Sequence, residues 1–152
     1  MSNEILSPAE MAEADRRAIA AGPFDGIGLM HRAGQAVAAL ALARYPAAER
    51  FHVLCGPGNN GGDGYVVARL LHESGAAVSL WASGAPRPGG DAALAAAECP
   101  LTPQALADFD AGSGTVVIDA LYGAGLSKPL AGDAARAVDI ALAGQLPVIA
   151  VD

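Results

Sequence analysis

Cysteine is scarce in this sequence. Cys55 and Cys99 are the only two among 152 residues. They stand far apart and form neither a C-x-x-C pair nor a metal-ligand spacing. That argues against a disulfide scaffold or a zinc site and reads as two buried free thiols. Positive charge is scarce as well: nine Lys and Arg face sixteen Asp and Glu, for a net charge of −7. A nucleic-acid backbone needs a basic footprint, so no nucleic-acid partner is expected. A small phosphorylated ligand stays open, because backbone N–H groups in a glycine loop hold phosphate without Lys or Arg. Long apolar runs are also missing. The hydrophobic fraction is 53% and the mean hydropathy +0.34, but much of this is alanine, a helix former. No stretch reaches the roughly 18 uninterrupted apolar residues of a membrane span. The alanine-rich run over residues 36–43 reads instead as one buried helix. The start, Met1-Ser2-Asn3-Glu4, is acidic and no signal-peptide pattern follows, which predicts a cytoplasmic protein with no membrane partner.

What is present is a regular alternation of helix and strand signals. Ser7-Pro8-Ala9-Glu10 is a capping box with proline at the first helical position. Met11, Ala14 and Ala18 follow at helical spacing, and Gly22-Pro23 ends the pattern. A second helix is predicted over residues 27–44, with Met30, Ala33, Val37 and Leu40 as its stripe. Strands are predicted at 51–55, 78–81, 115–119 and 147–151. Between them lie a helix carrying Val66, Val67, Leu70 and Leu71, an alanine-rich helix ending near Cys99-Pro100, a short helix over 103–109, and a helix over 132–142. The β-branched run Thr115-Val116-Val117-Ile118 suggests a strand buried on both faces. This order predicts an α/β fold: a Rossmann-like three-layer αβα sandwich with a mainly parallel sheet, preceded by two N-terminal helices. Residues 1–152 read as one domain. The alanine-rich helices leave room for a homodimer.

The chemistry-bearing signal is Gly56-Pro57-Gly58-Asn59-Asn60-Gly61-Gly62-Asp63-Gly64, five glycines in nine residues between a strand and a helix. Such a loop lets the backbone take positive φ, approach a ligand closely and present helix N-terminal N–H groups to an anion. Gly56, Gly58 and Gly61 satisfy G-x-G-x-x-G, but an ordinary dinucleotide site also has an acid at the end of the second strand. Here that strand ends Trp81-Ala82-Ser83, so a typical NAD dehydrogenase is disfavoured. A P-loop lysine is lacking too. The bland alternative is a solvated turn in which Asp63 merely caps a helix. Asp119 and Asp152 each end a predicted strand. In a parallel sheet both open on the same edge as the glycine loop, where ligands bind.

At these residues the chain resembles the NAD(P)H-hydrate epimerase family, the YjeF N-terminal domain. The resemblance rests on Leu6-Ser7-Pro8-Ala9-Glu10-Met11, Gly28-Leu29-Met30-His31-Arg32-Ala33-Gly34, the 56–64 run, Asp119-Ala120-Leu121-Tyr122-Gly123-Ala124-Gly125-Leu126 and Val151-Asp152. It implies an isomerase that interconverts the R and S forms of hydrated NADH and NADPH, with a fused or separate dehydratase completing the repair. Asn59, Asn60, Gly61, Gly62 and Asp63 match the family's substrate loop. Gly123, Ala124, Gly125, Leu126, Ser127, Lys128 and Pro129 match a second one, and Asp152 matches a substrate-contacting aspartate. Asn60 and Asp119 match ligands of a potassium ion. The resemblance also implies a continuation into Leu-Pro-Ser-Gly, so that residues 1–152 form a domain incomplete at its C-terminus. His31 stands where the family pattern has glutamate and reads as a solvent-facing helix residue. Epimerisation needs proton transfer near the hydroxyl and stabilisation of a developing cation, roles that suit a carboxylate. Asp152 and Asp119 are the candidate catalytic residues. The competing class is a non-catalytic nucleotide-binding or protein-interaction module of the same fold.

Overall fold

A computed structural model describes residues 6–152 of the chain; the acidic start over residues 1–4 lies outside them. Two helices come first, α1 (Pro8–Ala21) and α2 (Gly26–Arg44). The capping box closes as expected: the Ser7 hydroxyl accepts from Glu10 N–H, and the Glu10 carboxylate accepts from Ser7 N–H at 2.8 Å. Asp25 caps α2 by accepting from Gly28 N–H at 2.9 Å. Then follow β1 (Arg50–Cys55), α3 (Asn59–Glu73), β2 (Val78–Ala82), α4 (Asp91–Glu98), β3 (Gln104–Ala105), β4 (Thr115–Ala120), α5 (Gly132–Ala143) and β5 (Val148–Ala150).

The strands form one parallel sheet in the order β3-β2-β1-β4-β5. Central β1 is buried from Phe51 to Cys55 and alternates between two cores. Phe51, Val53 and Cys55 pack with residues of α2, α3 and α4. Leu54 faces the other way, with Trp81, Val117 and residues of α5. That is the three-layer sandwich expected. β4 is buried almost throughout, as its β-branched run suggests. Both cysteines are buried and free.

Two local expectations fail, each for a packing reason, and one helix packs unlike the others. The segment 103–109 is no α-helix. Gln104 and Ala105 pair with Trp81 and Ala82 at the sheet edge, and Leu106–Asp108 make a 3-10 turn that buries Leu106 and Phe109, three residues apart. The buried stripe of α2 is Met30, Gly34, Ala38 and Ala41; Ala33 and Leu40 are exposed, so the alanine-rich run is buried on one face only. The small residue Gly34 sets that face, because Val66 of α3 occupies the space where a Cβ would stand. Lastly, α1 buries no residue at all. Its Met11, Asp15 and Ile19, spaced by four, look into a cleft instead of the core.

Candidate functional site

The order of the sheet reverses direction at β1: the chain crosses to β2 on one side and to β4 on the other. Crossovers that diverge leave a crevice at the carboxyl ends of the two strands. Here the crevice lies between Cys55 and Ala120, which are register partners, and Gly56 N–H donates to Ala120 C=O at 3.0 Å. The 56–64 run enters at this point.

The run is not a loop through its length. Helix α3 begins at Asn59, so only residues 56–58 are loop. None of its glycines has a positive φ. The glycines serve close approach. A Cβ on Gly61 would collide with the Gly56 carbonyl oxygen, and one on Gly62 would press on the Met30 thioether and the Ala92 backbone. The first turn of α3 is thereby pulled down onto the sheet edge, with its free N–H groups beside the crevice. Gly58 is the N-cap and Asp63 lies well inside the helix, so Asp63 is not a cap.

The crevice widens into a cleft of ≈ 970 Å³. One wall is α3, which contributes Asn59, Asn60 and Asp63. The opposite wall is the segment after β4, with Gly123, Gly125, Leu126, Ser127, Lys128 and Pro129, and Asp152 lies on the same cavity. Asp152 ties the parts together: its Oδ1 accepts from Ala124 N–H at 2.9 Å. A Cβ on Gly123 would lie 2.7 Å from Asp152 Oδ1 and 3.5 Å from Asn60 Oδ1, so all three residues meet at one point. The Asn60 amide nitrogen is buried without a hydrogen-bond partner. Lys128 is the only lysine in the chain and the only cation lining the cleft among the described residues.

Gly61, Gly62, Ala124 and Asp119 do not line the cleft. Gly61 and Gly62 are buried beneath it. Asp119, half-buried, accepts from Leu121 N–H at 3.1 Å and so shapes the turn that launches the second loop. His31 is partly open to solvent, as expected, but it is not without a partner. It is half-buried, and its Nε2 sits 2.7 Å from Glu98 of α4. The sequence reading misses Asp15 and Ile19 of α1, Leu29 of α2 and Asp91 of α4, which complete the cleft. Only the four-residue spacing of Met11, Asp15 and Ile19 signals the first two. Asp91 is placed by Gly26, whose bare Cα accommodates the carboxylate.

Among the cleft carboxyls, Asp63 differs. Burial, with the nearby Asp15 charge adding to it, pushes its pKa up to about 7. Neither a hydrogen bond nor an ion pair contributes to that shift.

Residues 26–152 match the family of the YjeF-related protein N-terminus. The chain belongs to this family. It is 43% identical to an NAD(P)H-hydrate epimerase of Rhodobacter capsulatus, over 98% of this chain and 75% of that protein. It is 41% identical to one of Bordetella bronchiseptica, over 84% of this chain and 57% of that protein. It is 37% identical to the bifunctional NAD(P)H-hydrate repair enzyme Nnr of Pyrobaculum aerophilum, of which the match spans 32%. The crystal structure of yeast ynu0 shares the fold, with a TM-score of 0.81 over 98% of this chain and 70% of that one, at 22% identity. Among the described residues no helix is long and apolar enough to cross a membrane.

Proposed function

We propose that this chain epimerises hydrated NADH and NADPH, exchanging the R and S configurations at the hydroxyl-bearing carbon of the nicotinamide ring. The observation that carries the reading is the convergence of Asn60, Gly123 and Asp152 at the sheet's switch point, in a member of a family whose named relatives are NAD(P)H-hydrate epimerases. A neutral hydrated ring offers hydroxyl and amide groups to hydrogen-bond. Asn60 has an amide nitrogen still without a partner, and Asp152 has a second carboxylate oxygen beyond the one held by Ala124. The Asp152 carboxylate also suits the positive charge that grows on the ring as the hydroxyl leaves. Lys128 and the N–H groups at the start of α3 supply attraction for the ligand's phosphates.

We further propose a potassium ion held by Asn60 and Asp119. Asn60 and Asp119 offer amide and carboxylate oxygens, the donors a hard cation prefers. Bound there, the ion would supply positive charge next to Asn60 at the edge of the cleft. A dehydratase, fused or separate, is the partner this activity calls for, and the reading carries a cytoplasmic location with it.

The test is chromatographic separation of the R and S hydrates of NADH after incubation with the protein, with and without potassium. Exchange well above the spontaneous rate is expected. Saturable binding of the hydrates without accelerated exchange would instead establish a non-catalytic nucleotide-binding module.

A further inference from the structure

Three carboxyls face the cleft from the helical side: Asp15 on α1, Asp63 on α3 and Asp91 on α4. They differ in what holds them. Asp91 rests over Gly26 at the first turn of its own helix, where the helix dipole favours negative charge. Asp15 is exposed. Asp63 is half-buried at the third residue after Asn60, on the same side of α3, and burial first, then the nearby Asp15 charge, raises its pKa. Each of the two carboxylates singled out from sequence has one oxygen engaged by a backbone N–H, Asp152 by Ala124 and Asp119 by Leu121, and Asp152 keeps its second oxygen for the charge that develops on the ring.

We infer that Asp63 is the catalytic acid and base of the epimerisation, and that Asp15, which lines the same cleft, is its positioning residue. The inference rests on the epimerase reading above. The step balances without any further reactant. Asp63 gives its proton to the ring hydroxyl, the C–O bond breaks, and water departs. The electron pair of the adjacent ring nitrogen forms a C=N bond, leaving a cationic iminium and an Asp63 carboxylate. Water then adds to the other face of that carbon. The π electrons return to nitrogen, and the proton released by the water goes back to Asp63. The surroundings of Asp63 suit this chemistry, because a carboxyl pushed up to about 7 by burial and the Asp15 charge holds its proton at neutral pH and still gives it up.

The experiment is the pH profile of kcat for R/S exchange by the full-length protein, corrected for spontaneous exchange, in wild type, Asp63→Asn and Asp15→Asn. The acid form is the active one, so wild-type kcat is expected to fall as pH rises through about 7. Asp63→Asn should lose that limb and about a hundredfold or more in kcat. Its Kd for unhydrated NADH, an unreactive probe, should stay within about threefold, since the amide preserves shape and hydrogen bonding. Asp15→Asn removes the like charge, so the descending limb should move to lower pH while the low-pH plateau is kept. A kcat for Asp63→Asn within threefold of wild type, or an unmoved limb in Asp15→Asn, overturns the inference while leaving the epimerase reading intact. No exchange by the wild-type protein overturns both. Asp15 lies on a helix outside the core, so its arm reads out even if Asp63→Asn fails to fold.

Discussion

Asp152 Oδ1 accepts a hydrogen bond from Ala124 N–H at 2.9 Å, across 28 residues of chain. It fastens the end of β5 to the loop after β4 and gives Asp152 two separable roles, tether and charge. Asp152→Ala removes both, and kcat for exchange is expected to fall about a hundredfold while KM rises. Asp152→Asn keeps an acceptor for Ala124 but loses the charge. It should recover KM and leave kcat low. Steady-state kinetics on the two variants checks this.

Lys128 is exposed and stands alone as the cleft's cation among the described residues. A solvated point charge steers and holds phosphate but takes no part in chemistry. Lys128→Ala should raise KM by about three- to tenfold with kcat unchanged, a loss of roughly 0.7–1.4 kcal/mol in binding. The difference from wild type should shrink in high salt. Kinetics at two ionic strengths would show it.

The glycines of the 56–64 run are not equivalent. A Cβ on Gly58 meets nothing within 4 Å, whereas one on Gly61 collides with the Gly56 backbone. Alanine is the better helix former, so any loss at position 61 is steric. Gly61→Ala is expected to cost about 1–3 kcal/mol, and Gly58→Ala no more than about 0.5 kcal/mol. Urea unfolding of both variants is the measurement.

His52 is buried on β1 and accepts a hydrogen bond at Nδ1 from Trp81 Nε1–H at 3.1 Å, with Phe109 edge-on to both rings. Burial holds its pKa below the ordinary histidine value, with Arg50 adding to the effect and Asp110 opposing it. The unfolded chain therefore takes up a proton that the folded state refuses as pH falls below about 6.5. This group costs no stability above that pH, and the cost grows as pH drops. His52→Gln keeps an acceptor for Trp81 and should lose less stability between about pH 7.5 and about pH 5.5 than wild type. Urea midpoints at the two values decide it.

The layers of the fold are legible in the sequence because each rests on a local rule. The β-branched residues of β4 and the capping box at Ser7 act within a few residues. The convergence of the strand ends on one edge follows from parallel topology alone. What the sequence withholds depends on partners distant along the chain. Composition shows that the 56–64 run is special, yet the reason for Gly56 is the Leu121 carbonyl and for Gly62 the Met30 thioether. His31 looks like a surface residue until Glu98, 67 positions on, is brought to it. Asp15 is one more charged residue on a helix until α3 places Asp63 nearby. Proton affinity is a property of surroundings, and periodicity carries no information about it.

Because α1 buries none of its side chains, the helix that closes the cleft is not a structural member of the fold. Substitutions at Met11, Asp15 or Ile19 change what the cleft meets while leaving the packed sandwich untouched. Side chains on this helix can therefore shape what the cleft accepts without drawing on the stability that the core supplies.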